Sequence, residues 1–188
     1  VSVDGYRISY KQSELVQSSG TKSAIVPGKS LGEIAKILSA DEDEKAVIYF
    51  TDNHIMVDID GNIVVSRLIQ GDFIKYQQSF TNDYKTSAKI NKNEMLNSLE
   101  RASLIARDSR KIPVKMEISG SNIIITSNAE TSTAYEEVSA EIDGDKLLIA
   151  FNPKYLIDAL RAIDDEEVYI HFNTQLSPCV FKPVDGDS

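Results

Sequence analysis

The sequence predicts an α+β fold in which helices cover one face of antiparallel sheets. Three observations predict it. Short β-type runs separated by turn residues fill most of the 188 residues. Several of those runs alternate, as at 114–118, where Val114, Met116 and Ile118 are apolar and Lys115 and Glu117 are not. A strand with one wet face belongs to an antiparallel sheet. Finally, three segments carry apolar residues at helical spacing between the β runs.

Taken in order, Asp-Gly pairs at Asp4-Gly5, Asp60-Gly61, Asp143-Gly144 and Asp185-Gly186 flank apolar runs and suit tight hairpins, since Gly accepts φ > 0 without steric cost. Gly120-Ser121-Asn122 plays the same part between 114–118 and 123–126. The runs 46–50, 63–65, 123–125 and 147–151 are apolar throughout and are expected to be central strands. A first helix follows Pro27, with Leu31, Ile34, Ala35 and Leu38 on one face. A second spans 92–107. Asn91 and Glu94 form a capping-box-like start, and Met95, Leu99, Ala102 and Ala106 form its stripe. A third opens at Asn152-Pro153, an N-cap residue followed by Pro at the first helical position. Its stripe is Leu156, Ile157, Leu160 and Ile163.

Two of these helices look like copies. Residues 23–38 align without gaps on 148–163 as strand, turn and helix, placing Lys29 on Lys154, Glu33 on Asp158 and Lys36 on Arg161. Internal repetition of this length means a modular array. In both copies the face opposite the apolar stripe carries base, acid, base. Alone, that pattern describes a solvated helix face with i,i+4 pairing; repeated, it suggests helices lining a common, mildly basic surface. The acidic runs at 41–44 and 164–167 read as solvated connections.

Composition narrows the function. Twenty Lys and Arg against 29 Asp and Glu give a net charge of −9, which excludes nucleic-acid binding by general surface charge and requires basic residues segregated onto one face. No apolar run approaches the roughly 20 residues of a membrane-spanning helix. The start, Val1-Ser2-Val3-Asp4-Gly5, lacks the pattern of a signal peptide and an initiator Met, and reads as a cut inside a longer protein. The single Cys179 cannot form an internal disulfide, in keeping with a reducing compartment. No phosphate loop, Ser elbow or His-Glu-x-x-His is present. His54, His171 and Cys179 read as strand residues. Asp58-Ile59-Asp60-Gly61 lacks the third acid and closing Glu of a calcium loop and reads as a hairpin turn. No catalytic residue, metal site or cofactor is expected.

Several segments resemble the bacterial DNA polymerase III beta subunit, the sliding-clamp family. They are Val3-Asp4-Gly5-Tyr6-Arg7-Ile8, Ile25-Val26-Pro27-Gly28-Lys29, Ser66-Arg67-Leu68-Ile69-Gln70-Gly71-Asp72-Phe73, Glu100-Arg101-Ala102-Ser103-Leu104-Ile105-Ala106-Arg107 and Ile149-Ala150-Phe151-Asn152-Pro153-Lys154-Tyr155-Leu156. They run in order over essentially the whole chain. The resemblance implies a DNA-clamp fold of repeated β-α-β-β-β units, sheets outside and helices on the inner face. It implies that residues 1–81 are the second half of the middle domain and 82–188 the third domain, lacking its last strand. It implies a non-catalytic, cytoplasmic replication processivity factor, a homodimeric ring around duplex DNA. Such a ring docks DNA polymerase, the clamp loader and repair proteins through short linear peptides. A scaffold module of similar architecture that never meets DNA is the alternative.

The resemblance also implies site residues. Lys29, Lys36, Arg101, Arg107, Lys154 and Arg161 are expected to face DNA. Val3, Gly5, Tyr6, Arg7 and Ile8, with Ile74, Gln78 and Ser79 opposite, are expected to line the peptide pocket. Ile74 and Gln78 stand where the family usually has a proline and a basic residue. Leu104 and Ile105, with Glu136, Glu137 and Glu141 near the 135–138 strand, are expected at the ring contact. As bare sequence, a Glu-rich edge strand is equally a device against aggregation.

Overall fold

A computed structural model describes residues 1–38, 45–80, 83–106 and 113–184. The chain forms two compact units, Val1–Tyr76 and Gln77–Ser188. Thr81, the boundary expected from the sequence, lies outside the described residues, as do the 41–44 acidic run and Asp185-Gly186.

In the first unit β1 (Ser2–Val3) and β2 (Ile8–Ser9) pair as a short hairpin. Helix α1 (Gly28–Ile37) follows Pro27. Strands β3 (Ala46–Phe50), β4 (His54–Ile59) and β5 (Asn62–Arg67) form an antiparallel meander with β4 in the middle. Ile55, Val57 and Ile59 of β4 are buried with Leu68 and, from α1, Ile34. The β4–β5 turn places Asp60 at φ 48° and Gly61 at φ 82°. The Gly61 N–H donates to Asp58 Oδ1 at 3.0 Å, so Asp58 stabilises a hairpin, as the Asp-Gly spacing predicts.

Three expectations fail in this unit. The α1 stripe is only partly covered: Ile34 is buried, while Leu31, Ala35 and Leu38 are exposed. Residues 46–50 and 63–65 are not central, because β3 and β5 are the two edges and Ile48 and Ile63 stand 51% and 61% exposed. Three strands and one helix have too little surface to enclose these side chains. The 23–27 stretch makes a single bridge, Ile25 to Ile69, rather than the strand its alignment with 148–151 suggests.

The second unit contains β6 (Thr86–Asn91), α2 (Lys92–Ala106), β7 (Val114–Ser119), β8 (Asn122–Asn128), β9 (Thr133–Gly144), β10 (Leu147–Phe151), α3 (Pro153–Arg161), β11 (Glu167–Phe172) and β12 (Val180–Pro183). All strand pairs are antiparallel, in the order β10-β7-β8-β9-β6-β11-β12. Alternation decides the faces. Val114, Met116, Ile118, Ile123, Ile125, Val138, Ile149, Val168, Ile170 and Phe172 form one core with Met95, Leu99 and Ala102 of α2 and Leu156, Ile157 and Leu160 of α3. Both helices are capped as the sequence predicts. Asn91 Oδ1 accepts the Glu94 N–H at 3.0 Å, and Asn152 Oδ1 accepts the Lys154 N–H at 3.0 Å.

Strand β9 is long enough to serve two neighbours. Residues 133–139 pair with β8, and residues 140–144 with β6. At its end Gly144 (φ 110°) passes so close to β6 that an added Cβ would lie 2.0 Å from the Lys85 carbonyl oxygen. Asp143-Gly144 is therefore not the expected hairpin. Strand β10 leaves β9 and pairs with β7 instead, at the sheet edge. The run 147–151 is accordingly an edge strand, whereas 123–125 in β8 is central as expected.

Candidate nucleic-acid interface and partner site

Helix α1 presents Lys29 and Lys36 on its exposed side, and α3 presents Lys154 and Arg161. Their surroundings differ systematically. Lys29 and Lys154, each the second residue of its helix, make no ion pair among the described residues. Lys36 Nζ lies 2.8 Å from Glu33 Oε1 on the same helix. Arg161 Nη2 donates to Glu100 Oε1 on α2 at 2.7 Å, joining the two helices of the second unit. Arg107 lies outside the described residues.

Arg101 and Glu136, expected at different sites, bind each other. Arg101 Nε donates to Glu136 Oε1 at 2.9 Å and Nη2 to Oε2 at 2.5 Å, while Nη2 also donates to Ser98 Oγ at 3.0 Å. The cause is alternation: Glu136 falls between Ala134 and Val138 on the face of β9 that meets α2. The Arg101 guanidinium holds the Glu136 carboxyl below the usual carboxylate range. On the opposite face of β9, Glu137 accepts from the Asn122 amide. Glu141 faces Lys89 across the β6–β9 ladder, and Lys89 bonds Glu167 at 2.8 Å. On the last turn of α2, Leu104 is 56% exposed and Ile105 half-buried. Among the described residues, 133–139 have a ladder on one side only.

In the first unit the β1–β2 turn is built on Asp4. Its Oδ1 accepts the N–H groups of Tyr6 and Arg7, both at 3.2 Å, and its Oδ2 meets Arg7 Nε at 2.7 Å. The Arg7 hydrogen bond first, then the Tyr6 N–H, keeps the Asp4 carboxyl below its ordinary value. Gly5 takes φ 85°, Tyr6 is 80% exposed, and Val3 is exposed beside half-buried Ile8. Tyr76 stacks on Tyr10 at 6.0 Å between centroids and meets Phe73 edge-on at 6.4 Å, with Ile74 exposed between them in sequence. Gln78 and Ser79 are exposed on the 3-10 turn Tyr76–Ser79. The Tyr10–Tyr76–Phe73 cluster was not expected from sequence, because its members are separated by loops. Glu100 was missed for a similar reason: it reaches Arg161 across 61 positions.

Comparison with known proteins decides the family. Residues 1–75 match the central domain of the DNA polymerase III beta subunit, and residues 77–188 match its C-terminal domain. The chain belongs to the DNA polymerase III beta subunit family. The beta sliding clamp of Staphylococcus epidermidis is 36% identical over 188 residues, covering 98% of this chain and 49% of that protein. That of Staphylococcus aureus is 33% identical over 187 residues, with the same coverage. Among solved structures, the DNA polymerase sliding clamp from Bacillus subtilis superposes with TM-score 0.81 at 31% identity, over 87% of this chain and 44% of that one. The DNA polymerase III beta chain from Streptococcus pneumoniae gives 0.84 at 28% identity, over 93% and 46%. The α+β clamp fold expected from the sequence is thus the fold observed. The chain spans about half the length of the curated relatives it matches. Among the described residues no His, Cys, Asp and Glu group could hold a metal, and no helix is long and apolar enough to cross a membrane.

Proposed function

We propose that this chain is part of a DNA-replication processivity clamp, a closed homodimeric ring that surrounds duplex DNA without reading its sequence. It makes and breaks no bond itself. The reading rests chiefly on one observation: a chain of net charge −9 puts Lys29, Lys36, Lys154 and Arg161 on the exposed sides of two equivalent helices. Contacts of this kind reach phosphate, are indifferent to sequence and permit sliding. Residues 1–81 then act as the second half of the middle domain and 82–188 as the third.

Ring closure falls to the one-sided edge of β9 at 133–139, to exposed Leu104 and half-buried Ile105 on the last turn of α2, and to Glu136, Glu137 and Glu141, of which Glu137 and Glu141 supply negative charge outside the Arg101 pair. An unpaired strand edge is a template for another chain. DNA polymerase, the clamp loader and repair proteins dock by short linear peptides, with Val3, Gly5, Tyr6, Arg7, Ile8 and Ile74 of the first unit and Gln78 and Ser79 of the second as the residues proposed to meet them.

Two measurements test this reading. The full-length protein, loaded by its clamp loader, stays on nicked circular DNA and is lost when the circle is linearised; equal retention on both forms refutes a topological link. A fluorescent polymerase-tail peptide binds the full-length protein, and Arg7→Ala weakens it about five-fold or more. Unchanged affinity removes Arg7 from the site.

A further inference from the structure

The cations of α1 and α3 share an arrangement that is reached within the helix in α1 and between helices in α3. The gapless alignment of 23–38 on 148–163 places Lys29 over Lys154 and Lys36 over Arg161. In both units the first of these cations lacks an acidic partner among the described residues, and the second is held by a glutamate. The glutamates have different origins. Glu33 is three residues before Lys36 on the same helix, whereas Glu100 comes from α2, 61 residues before Arg161. Two unrelated routes to the same neutralisation point to a constraint on the surface itself.

Stability does not supply that constraint. All four side chains are well exposed, at 70% and 56% for Lys36 and Glu33 and 60% and 41% for Arg161 and Glu100. Pairs so exposed contribute little to folding. Toward phosphate their effect is larger, because each acid cancels one cation that would otherwise displace a condensed counterion. Each such cation steepens the fall of log affinity with log salt by about 0.9.

We infer that Glu33 and Glu100 are attenuating residues, which hold Lys36 and Arg161 in neutral pairs so that the helix faces attract duplex DNA weakly enough to slide along it. The inference rests on the DNA-encircling reading and assigns it a second requirement, a limit on grip. Lys29 and Lys154 supply the attraction; the two glutamates cap it.

The test titrates a fluorescently labelled short duplex with the 188-residue chain across a salt series, using Glu33→Gln, Glu100→Gln, both together, Lys154→Ala and Asp60→Asn. Asp60→Asn makes the same change in net charge on the β4–β5 turn, and thermal melting verifies that every variant is folded. Each Glu→Gln change steepens the salt dependence by about 0.9. It tightens binding roughly four-fold at about 0.2 M salt and on the order of ten-fold at about 0.05 M. Lys154→Ala flattens the dependence by a similar amount, and Asp60→Asn leaves it unchanged. If Lys154→Ala weakens binding but neither glutamate change strengthens it, attenuation is wrong and the DNA reading stands. Equal gains from Asp60→Asn and Glu100→Gln reduce the effect to bulk charge and also overturn attenuation. If no variant binds, or none alters the slope, attenuation is overturned, while the DNA-encircling reading is decided by retention on circular against linear DNA.

Discussion

Arg101 on α2 grips both carboxylate oxygens of Glu136 on β9, 35 residues away, and is steadied by Ser98 one turn before it on the helix. The two residues look unrelated in sequence, one on a helix and one in an acidic strand. Packing α2 against β9 brings them together and leaves Glu137, Glu141 and Asp143 as the acids directed elsewhere on that strand.

Exposure of the Arg101 side chain, 56% against 20% for Glu136, limits the pair's worth. Arg101→Ala is expected to lower the folding equilibrium constant only a few-fold at low salt, with the loss fading as salt is raised. Glu136→Gln should behave alike, and the double variant Arg101→Ala with Glu136→Gln should be little worse than either single one. Urea denaturation at two salt concentrations measures all three. Additive losses would show that the residues do not act as a pair.

Burial, not ion pairing, should dominate stability in the second unit. Leu99 of α2 and Leu160 of α3 are 1% and 0% exposed in the shared core. Leu99→Ala and Leu160→Ala should each cost about 2–5 kcal/mol, the range for cavities in a packed interior. Leu104→Ala, on the same helix as Leu99 but exposed, should change stability by less than about 0.5 kcal/mol. Chemical denaturation gives the ranking.

Two glycines with positive φ should respond differently. Gly61 (φ 82°) has open space where a Cβ would go, so Gly61→Ala meets only the conformational penalty, about 1–2 kcal/mol. Gly144 (φ 110°) meets the Lys85 carbonyl oxygen at 2.0 Å in addition. Neither backbone can retreat without breaking the β6–β9 ladder. Gly144→Ala should therefore destabilise by several kcal/mol or prevent folding, and Gly61→Ala should not.

What sequence revealed follows from what was local. The caps at Asn91 and Asn152, the α2 stripe through Met95, Leu99 and Ala102, and the alternation at 114–118 are set by neighbours a few positions away, and each appears in the structure; the Ala106 side chain lies outside the described residues. Strand order is not local. The runs 46–50 and 123–125 are equally apolar, yet one forms a bare edge and the other sits between β7 and β9. The cation-bearing helix faces could be read from spacing, but their neutralisation could not be read in full. Glu33 lies within one turn of Lys36, whereas Glu100 reaches Arg161 only after α2 and α3 pack.

His171 provides a pH dependence whose sign is fixed by its surroundings. Its ring stacks on Tyr84 at 4.4 Å and on Tyr169 at 5.7 Å, and its Nδ1 lies 2.7 Å from Ser87 Oγ. Lys182 of β12 sits 5.6 Å from the Tyr84 ring. Burial first, and the Lys182 charge second, hold the His171 pKa below its ordinary 6.5. The unfolded chain therefore binds this proton at a higher pH than the folded one does. The contribution is fully present above the unfolded value, is lost as pH falls from about 6.5 through the folded value, and changes no further below both. Equilibrium unfolding measured from pH 7.5 down to about pH 5 should show stability falling over this window. His171→Gln should remove that part of the slope, and Lys182→Met should shrink it by moving the folded value back toward 6.5. A slope unchanged in His171→Gln would assign the acid sensitivity to carboxylates instead.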